Sequence, residues 1–245
     1  MLANTFFLIS PGRIQFWYEK GFVVPLVVKI PFAQDPWPIA KQAVTAAPNA
    51  FFLDSNYFQP KTARYSYLGW KPFRISRTEK SGGVLSKLKT LFRPYRARKW
   101  AELPFFTVGA VGFLSYELAH AFEQLPDYAR DDLRLDCAAF LFVRDLLVFD
   151  HKESSCFLIA NLIPGKDGSF ERAFKRAYQF IEEAYNLINN LHFPENGNGR
   201  MVIRRFQADS SKREFKQMVR RAKEYIEAGS IYQANLSQRF SFEFK

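Results

Sequence analysis

Apolar residues recur along this chain at two periods, and the changes of period mark its elements. After Asp35 and Pro36, an N-cap and first-turn pair, a helical pattern runs to about Pro48 and Asn49. Runs rich in Phe, Val, Ile and Tyr follow at residues 50–54, 64–69, 108–116, 138–149 and 156–163, each bounded by polar or Gly/Pro positions. That composition predicts strands, the last two joined through residues 151–155 as an antiparallel hairpin. Between them, residues 84–92 read as a short helix. A longer one spans 170–191, capped by Ser169, with Phe170, Ala173, Phe174, Ala177, Ile181, Ala184, Tyr185 and Ile188 as its buried stripe. Strands grouped in meanders with helices set apart predict an α+β fold: an antiparallel-rich β-sheet or sandwich with flanking helices.

Residues 192–200 contain Pro194, Gly197 and Gly199 and read as a linker. Beyond it, Ser211 and Glu214 form a capping box, and Phe215, Met218, Val219, Ala222, Tyr225 and Ile226 line one face of a helix that Gly229 ends. The period then becomes two: Tyr232, Ala234, Leu236, Phe240, Phe242 and Phe244 alternate with polar residues. This predicts one strand of about 14 residues, roughly 46 Å long, with an uncovered apolar face. The expected organisation is a domain at 1–191, a linker at 192–200, and the opening of a second, incomplete domain at 201–245.

Composition narrows the class. Of 245 residues, 48% are hydrophobic and 17% aromatic, including 27 Phe, so the chain has core material for a globular fold. Cys137 and Cys156 are too few for a disulfide scaffold, and a reducing cytoplasm is the simplest reading. The segment 22–32 is interrupted by Pro25, Lys29 and Pro31, and the first ten residues carry no basic n-region. Neither a membrane span nor a signal peptide is expected. The net charge of +11 invites a nucleic-acid reading, because Lys87, Lys89, Arg93, Arg96, Arg98 and Lys99 form a run without one acid. Placement on solvated faces accounts for it, and no nucleic-acid or membrane partner is expected.

Candidate chemistry is sparse. Gly109 and Gly112 lie within a strand pattern and lack the third glycine of a dinucleotide fingerprint, so they predict a bend or the close approach of another backbone. His120, His151 and His192 have no partner at ligand spacing, and Ser115 lacks the context of a nucleophile elbow. Asp54 and Ser55 close an apolar strand and face Arg64-Tyr65-Ser66 across a polar loop. Such a strand end can hold the charged head of a small ligand, or Asp and Ser can simply cap a turn.

Several segments, in order, resemble the component I family of chorismate-utilising enzymes. They are Phe52-Leu53-Asp54-Ser55, Ala63-Arg64-Tyr65-Ser66-Tyr67-Leu68-Gly69, residues 109–118 with Phe122-Glu123-Gln124-Leu125-Pro126, and above all Ala228-Gly229-Ser230-Ile231-Tyr232-Gln233-Ala234-Asn235-Leu236-Ser237-Gln238-Arg239-Phe240. Ser230 departs from the aspartate usual in the family. The resemblance implies an N-terminal domain followed by the start of a chorismate-binding domain, with the magnesium-binding glutamates downstream of this sequence. It therefore implies no catalytic residue and no metal ligand here, Mg2+ only with the missing half, and an inactive isolated chain. It further implies exchange of the chorismate 4-hydroxyl for an amino group, with ammonia from a glutamine amidotransferase subunit. Tyr232-Gln233-Ala234-Asn235 is more similar to the aminodeoxychorismate synthase branch than to anthranilate synthase. A tryptophan pocket in the family implies a ligand site at Ser55, Thr62, Ala63, Arg64 and Tyr65. A stand-alone tryptophan-binding regulatory module is the alternative of a different class.

Overall fold

The computed structural model describes residues 7–55, 63–79, 82–126, 131–190 and 203–244. It divides into two compact units, Met1–Phe193 and Pro194–Lys245. In the first, helix α1 (Pro11–Glu19) leads into strand β1 (Phe22–Pro31). Then come α2 (Trp37–Ala46), β2 (Phe51–Leu53), β3 (Tyr65–Gly69), β4 (Arg74–Thr78), α3 (Val84–Phe92), β5 (Arg96–Ala97), β6 (Gly109–Leu114) and a 3-10 helix (Tyr116–Ala121). Strands β7 (Ala138–Val143), β8 (Asp145–Asp150) and β9 (Ser155–Leu162) and helix α4 (Phe170–Asn189) complete it. The predicted α+β class, the antiparallel-rich sheets and the 151–155 hairpin are all present. No helix among the described residues is long and apolar enough to cross a membrane.

A six-stranded sheet in the order β2-β3-β8-β9-β1-β5 forms the centre, antiparallel except where β5 pairs with β1. Every residue of β9 is buried, because both its faces are covered. On one side lies the α4 stripe, with Ala173, Ala177, Phe180, Ile181, Ala184 and Ile188 buried. On the other lie the aromatics Phe105 and Phe106, with Phe105 4.6 Å from Phe157, ring centre to ring centre. The sequence pattern at 22–32 gave no strand, yet β1 pairs with β9 from Val24↔Leu162 to Pro31↔Ser155. Pro25 is tolerated there because β5 lines the far edge of β1 only at Phe22 and Val23, so its missing N–H breaks no ladder bond on that side.

The apolar run at 138–149 is not one strand. It breaks at Arg144: β7 belongs to a three-stranded sheet, β4-β7-β6, and β8 to the central one. The break is clasped by polar groups. Arg144 donates to Asp167 Oδ1 at 2.7 Å, Arg176 donates to Asp145 Oδ2 at 2.6 Å, and Asn161 donates through its backbone and side chain to the Arg144 carbonyl. Burial pushes the Asp145 carboxyl above its ordinary range, while Arg176 and Arg144 pull it back.

In the second unit, β10 (Ile203–Ala208), α5 (Lys212–Glu227) and β11 (Phe240–Phe244) carry the predicted capping box: Ser211 N–H donates to Glu214 Oε2 at 2.7 Å, and Glu214 N–H to Ser211 Oγ at 3.3 Å. The long terminal strand is a correction. Residues 231–239 are irregular, and only 240–244 pair, antiparallel with β10. A strand persists where a neighbour takes its backbone groups, and among the described residues β10 matches only that last stretch. No residue of α5 is buried, and Phe206 stacks on Phe240 at 5.4 Å. The linker expected at 192–200 lies outside the described residues.

Gly112 shows why a strand interior carries glycine. A Cβ there would stand 1.9 Å from the Ala139 carbonyl oxygen, across the β6–β7 pair. Gly112→Ala should therefore lower the unfolding free energy by about 1–3 kcal/mol; a denaturant midpoint equal to that of the parent chain would contradict the close approach.

Candidate functional site

The end of the β2–β3 pair meets the turn of the β8–β9 hairpin because β3 pairs with β8 as well, Tyr65 opposite Asp150 and Ser66 opposite Phe149. Four of the residues singled out from the sequence, Asp54, Ser55, Arg64 and Tyr65, are thereby brought together. Asp150 and His151 join them, which sequence reasoning did not foresee. Ala63 is half-buried beside Arg64, and Thr62 lies outside the described residues, as does the polar loop at 56–62.

Ser66, fully buried, is the hub. Its Oγ accepts from the Ser55 N–H at 2.9 Å, lies 2.7 Å from His151 Nε2 and donates to Asp54 Oδ1 at 3.2 Å. A hydroxyl has one proton and two lone pairs. With its proton on Asp54 and one lone pair on Ser55, it can only accept from His151, so Nε2 carries a hydrogen. The trio Asp54, Ser66 and His151 has the composition of a hydrolytic triad but the wrong order: the serine sits in the middle, buried, with its proton committed to the carboxylate.

Arg64 is equally committed. Its Nε and a terminal nitrogen donate to the two Asp150 oxygens at 3.0 and 2.7 Å, and its guanidinium lies 4.9 Å from the Tyr65 ring centre. Asp150 is 2% exposed and also accepts the backbone N–H of Lys152 and Glu153. Burial pushes its carboxyl up, but the Arg64 and backbone hydrogen bonds outweigh that and hold it below its ordinary value. The Ser55 hydroxyl donates to the Tyr65 carbonyl at 2.8 Å. What this strand end offers outward is therefore acceptor groups, the half-exposed Ser55 oxygen and the exposed Asp54 carboxylate, beside the Tyr65 ring. Such a set suits an ammonium better than a carboxylate.

The remaining candidates stay apart. His120 pairs with Glu117 at 3.1 Å on the 3-10 helix, and the buried Ser115 hydroxyl has no hydrogen-bond partner among the described residues. His192 lies outside the described residues. No group of three His, Cys, Asp or Glu among the described residues stands close enough to hold a metal ion. The signal for Asp150 and His151 was their position: an acid and a histidine where an apolar run of 138–149 turns into a hairpin.

A family described as chorismate binding enzyme matches residues 53–245. Among curated relatives, anthranilate synthase component 1 of Thermus thermophilus is 31% identical over 91% of this chain and 47% of its own length. That of Acetivibrio thermocellus is 29% identical over 79% and 43%, and aminodeoxychorismate synthase component 1 of Bacillus subtilis 29% over 66% and 33%. The chain thus spans less than half the length of these relatives. The crystal structure of anthranilate synthase component I from Streptococcus pneumoniae covers 75% of this chain and 43% of that protein, with a TM-score of 0.55 at 24% identity, a likeness of fold.

Arg64→Ala leaves the Asp150 carboxylate buried without its counter-charge and should cost roughly 2–3 kcal/mol, less than a fully buried pair because Arg64 is 32% exposed. The Asp150 contribution also sets a pH dependence. A folded carboxyl held below the unfolded value of about 3.9 stabilises fully above that pH and loses its effect as pH falls through the folded value. The stability difference between the parent chain and Asp150→Asn, from denaturant melts at several pH values, should be constant near neutrality and shrink below about pH 4; a gap that widens on acidification would contradict it.

Proposed function

The chain belongs to the family of chorismate binding enzymes, and on that premise we propose that it is the N-terminal portion of a component I that aminates chorismate. The full protein is read as aminodeoxychorismate synthase component I. It exchanges the 4-hydroxyl of chorismate for an amino group, using ammonia that a glutamine amidotransferase subunit releases, with Mg2+ bound by residues beyond this chain. The observation that carries the reading is the family match across residues 53–245, which includes the motif at 228–240. The stretch Tyr232-Gln233-Ala234-Asn235 within it, Asn235 above all, favours the aminodeoxychorismate product. A second reading, anthranilate synthase component I, is favoured by the relatives of that name at 29–31% identity.

On this reading residues 1–191 are the N-terminal domain, 192–200 a linker and 201–245 the first part of the chorismate-binding domain, in a cytoplasmic protein. Ser55, Thr62, Ala63, Arg64 and Tyr65 would form a tryptophan site. Asp54 and the Ser55 oxygen would take the ammonium, and Tyr65 would flank the indole, while Arg64, locked on Asp150, would hold the wall in place.

Incubated with chorismate, ammonium and Mg2+, the 245-residue chain should give no product, whereas the polypeptide expressed with the coding sequence around it should give 4-amino-4-deoxychorismate, separable from anthranilate by chromatography. Anthranilate as the sole product would select the second reading, and turnover by the chain alone would overturn the assignment of the catalytic groups. Calorimetric titration with tryptophan should release heat, and Ser55→Ala should weaken binding by about tenfold; an unchanged affinity would remove Ser55 from the site.

A further inference from the structure

The basic run at 87–99 is not simply a solvated face. Lys87 is tied to the Arg77 carbonyl and the Thr78 hydroxyl, but beyond α3 the run crosses the edge of the central sheet and lies over α1. There, cations sit on rings. The Arg98 guanidinium is 3.9 Å from the Trp17 ring centre and 4.9 Å from that of Trp100, and Arg13 is 5.4 Å from Trp100. Arg96 is 4.4 Å from Phe22, its opposite number across the β1–β5 pair, and Lys20 Nζ is 4.9 Å from Phe16. The rings touch in turn, Phe16 on Trp17 at 5.2 Å and Trp17 on Phe22 at 5.3 Å, both edge-on. Lys20, Phe16, Trp17, Arg98, Trp100 and Arg13 thus make one continuous strip, and Arg96 joins it through Phe22.

Among the described residues, this strip holds more positive charge than its carboxylates pair with. Glu102 pairs with Arg13 at 2.6 Å, and Glu19 accepts from Gln15. Among the described residues no carboxylate forms a close ion pair with Lys20, Arg96 or Arg98, although Glu102 lies near enough to Arg98 to feel its charge. A guanidinium lying over a ring keeps its in-plane N–H groups, the fork that meets a carboxylate with two parallel hydrogen bonds, for a further partner. Cations already held on rings also lose less side-chain freedom when a partner arrives. A charged edge would by itself discourage sheet-to-sheet pairing at β5, but that need is met by an isolated lysine and requires no rings. Nucleic acid is the poorer fit. Single strands bind by stacking bases on open aromatic faces, whereas Trp17 and Trp100 are already covered and Trp100 is 5% exposed.

We propose that Arg13, Phe16, Lys20, Arg96 and Arg98 form a docking surface for a carboxylate-rich face of a partner protein. The surface stands on these residues alone and does not depend on the reaction assigned above.

The test uses the full 245-residue chain and dye-labelled poly-L-glutamate as the acidic probe, followed by fluorescence anisotropy, with a single-stranded oligonucleotide of matched charge as the competing class. Reversal of two of the three strip arginines, R96E/R98E, should weaken poly-glutamate binding by at least about tenfold. Reversal of two exposed cations in the other unit, K212E/R213E, should change it by less than about twofold. R98K, which keeps the charge but loses the fork, should fall between. R96E alone, at an exposed edge position, replaces the double variant where circular dichroism shows the latter unfolded. Equal losses in the strip and control variants, no binding by the parent chain, or tighter binding of the oligonucleotide than of poly-glutamate would each overturn the proposal.

Discussion

The fold of the first unit depends on one polar clasp set in an apolar surrounding, where the chain leaves one sheet and enters another. Arg144 and Asp145 interrupt a run that would otherwise continue as a single strand, and Asn161 of β9, Asp167 of the loop after it and Arg176 of α4 hold the interruption in place. Charges taken out of water destabilise unless they are paired and hydrogen-bonded, so the clasp can exist only if all its members arrive together. That requirement couples β7, β8, β9 and the start of α4 into one arrangement. Hydrophobic burial supplies the drive, since β8 and β9 are buried almost throughout, but it does not say where a strand should turn. The ion pairs do.

The consequences reach the candidate site. Because β8 leaves the clasp in a fixed register, its far end delivers Asp150 and His151 to the end of β3, where Arg64 donates to Asp150 and Ser66 meets His151 Nε2. Among the described residues, what this strand end leaves uncommitted is the Asp54 carboxylate and the Ser55 oxygen, both acceptors. At the opposite edge of the same sheet, β5 is only two residues long, yet its pairing with Phe22 is enough to lay Arg96 on a ring and to bring Arg98 over Trp17.

Much of this was legible in the residues. Ser169, Ser211 with Glu214, and Gly229 announced helix ends that the structure contains, and the glycine at 112 announced a backbone approach. What escaped was set by partners distant in sequence. The strand at 22–31 was hidden by its prolines, which are harmless only because one edge of β1 is largely unpaired. The break at Arg144 was hidden by the strength of the flanking apolar pattern, although a charged pair in mid-run was the sign. The terminal alternation predicts one strand, but alternation describes only which face could be buried, and β10 supplies a neighbour only for 240–244 among the described residues. At the site, Ser55 and Arg64 were visible as types in a place; that Asp150 would neutralise Arg64 depended on a register between strands some 80 residues apart, which no local pattern encodes.

The most direct test of the clasp is amide hydrogen exchange on the chain carrying Asp145→Ala, which strands Arg144 and Arg176 beside a buried gap. The account predicts that protection falls in parallel in β6–β7 of the smaller sheet and in β8–β9 of the central one, because both depend on the same corner. Full protection retained in β8–β9, with faster exchange confined to the residues adjoining position 145, would contradict it.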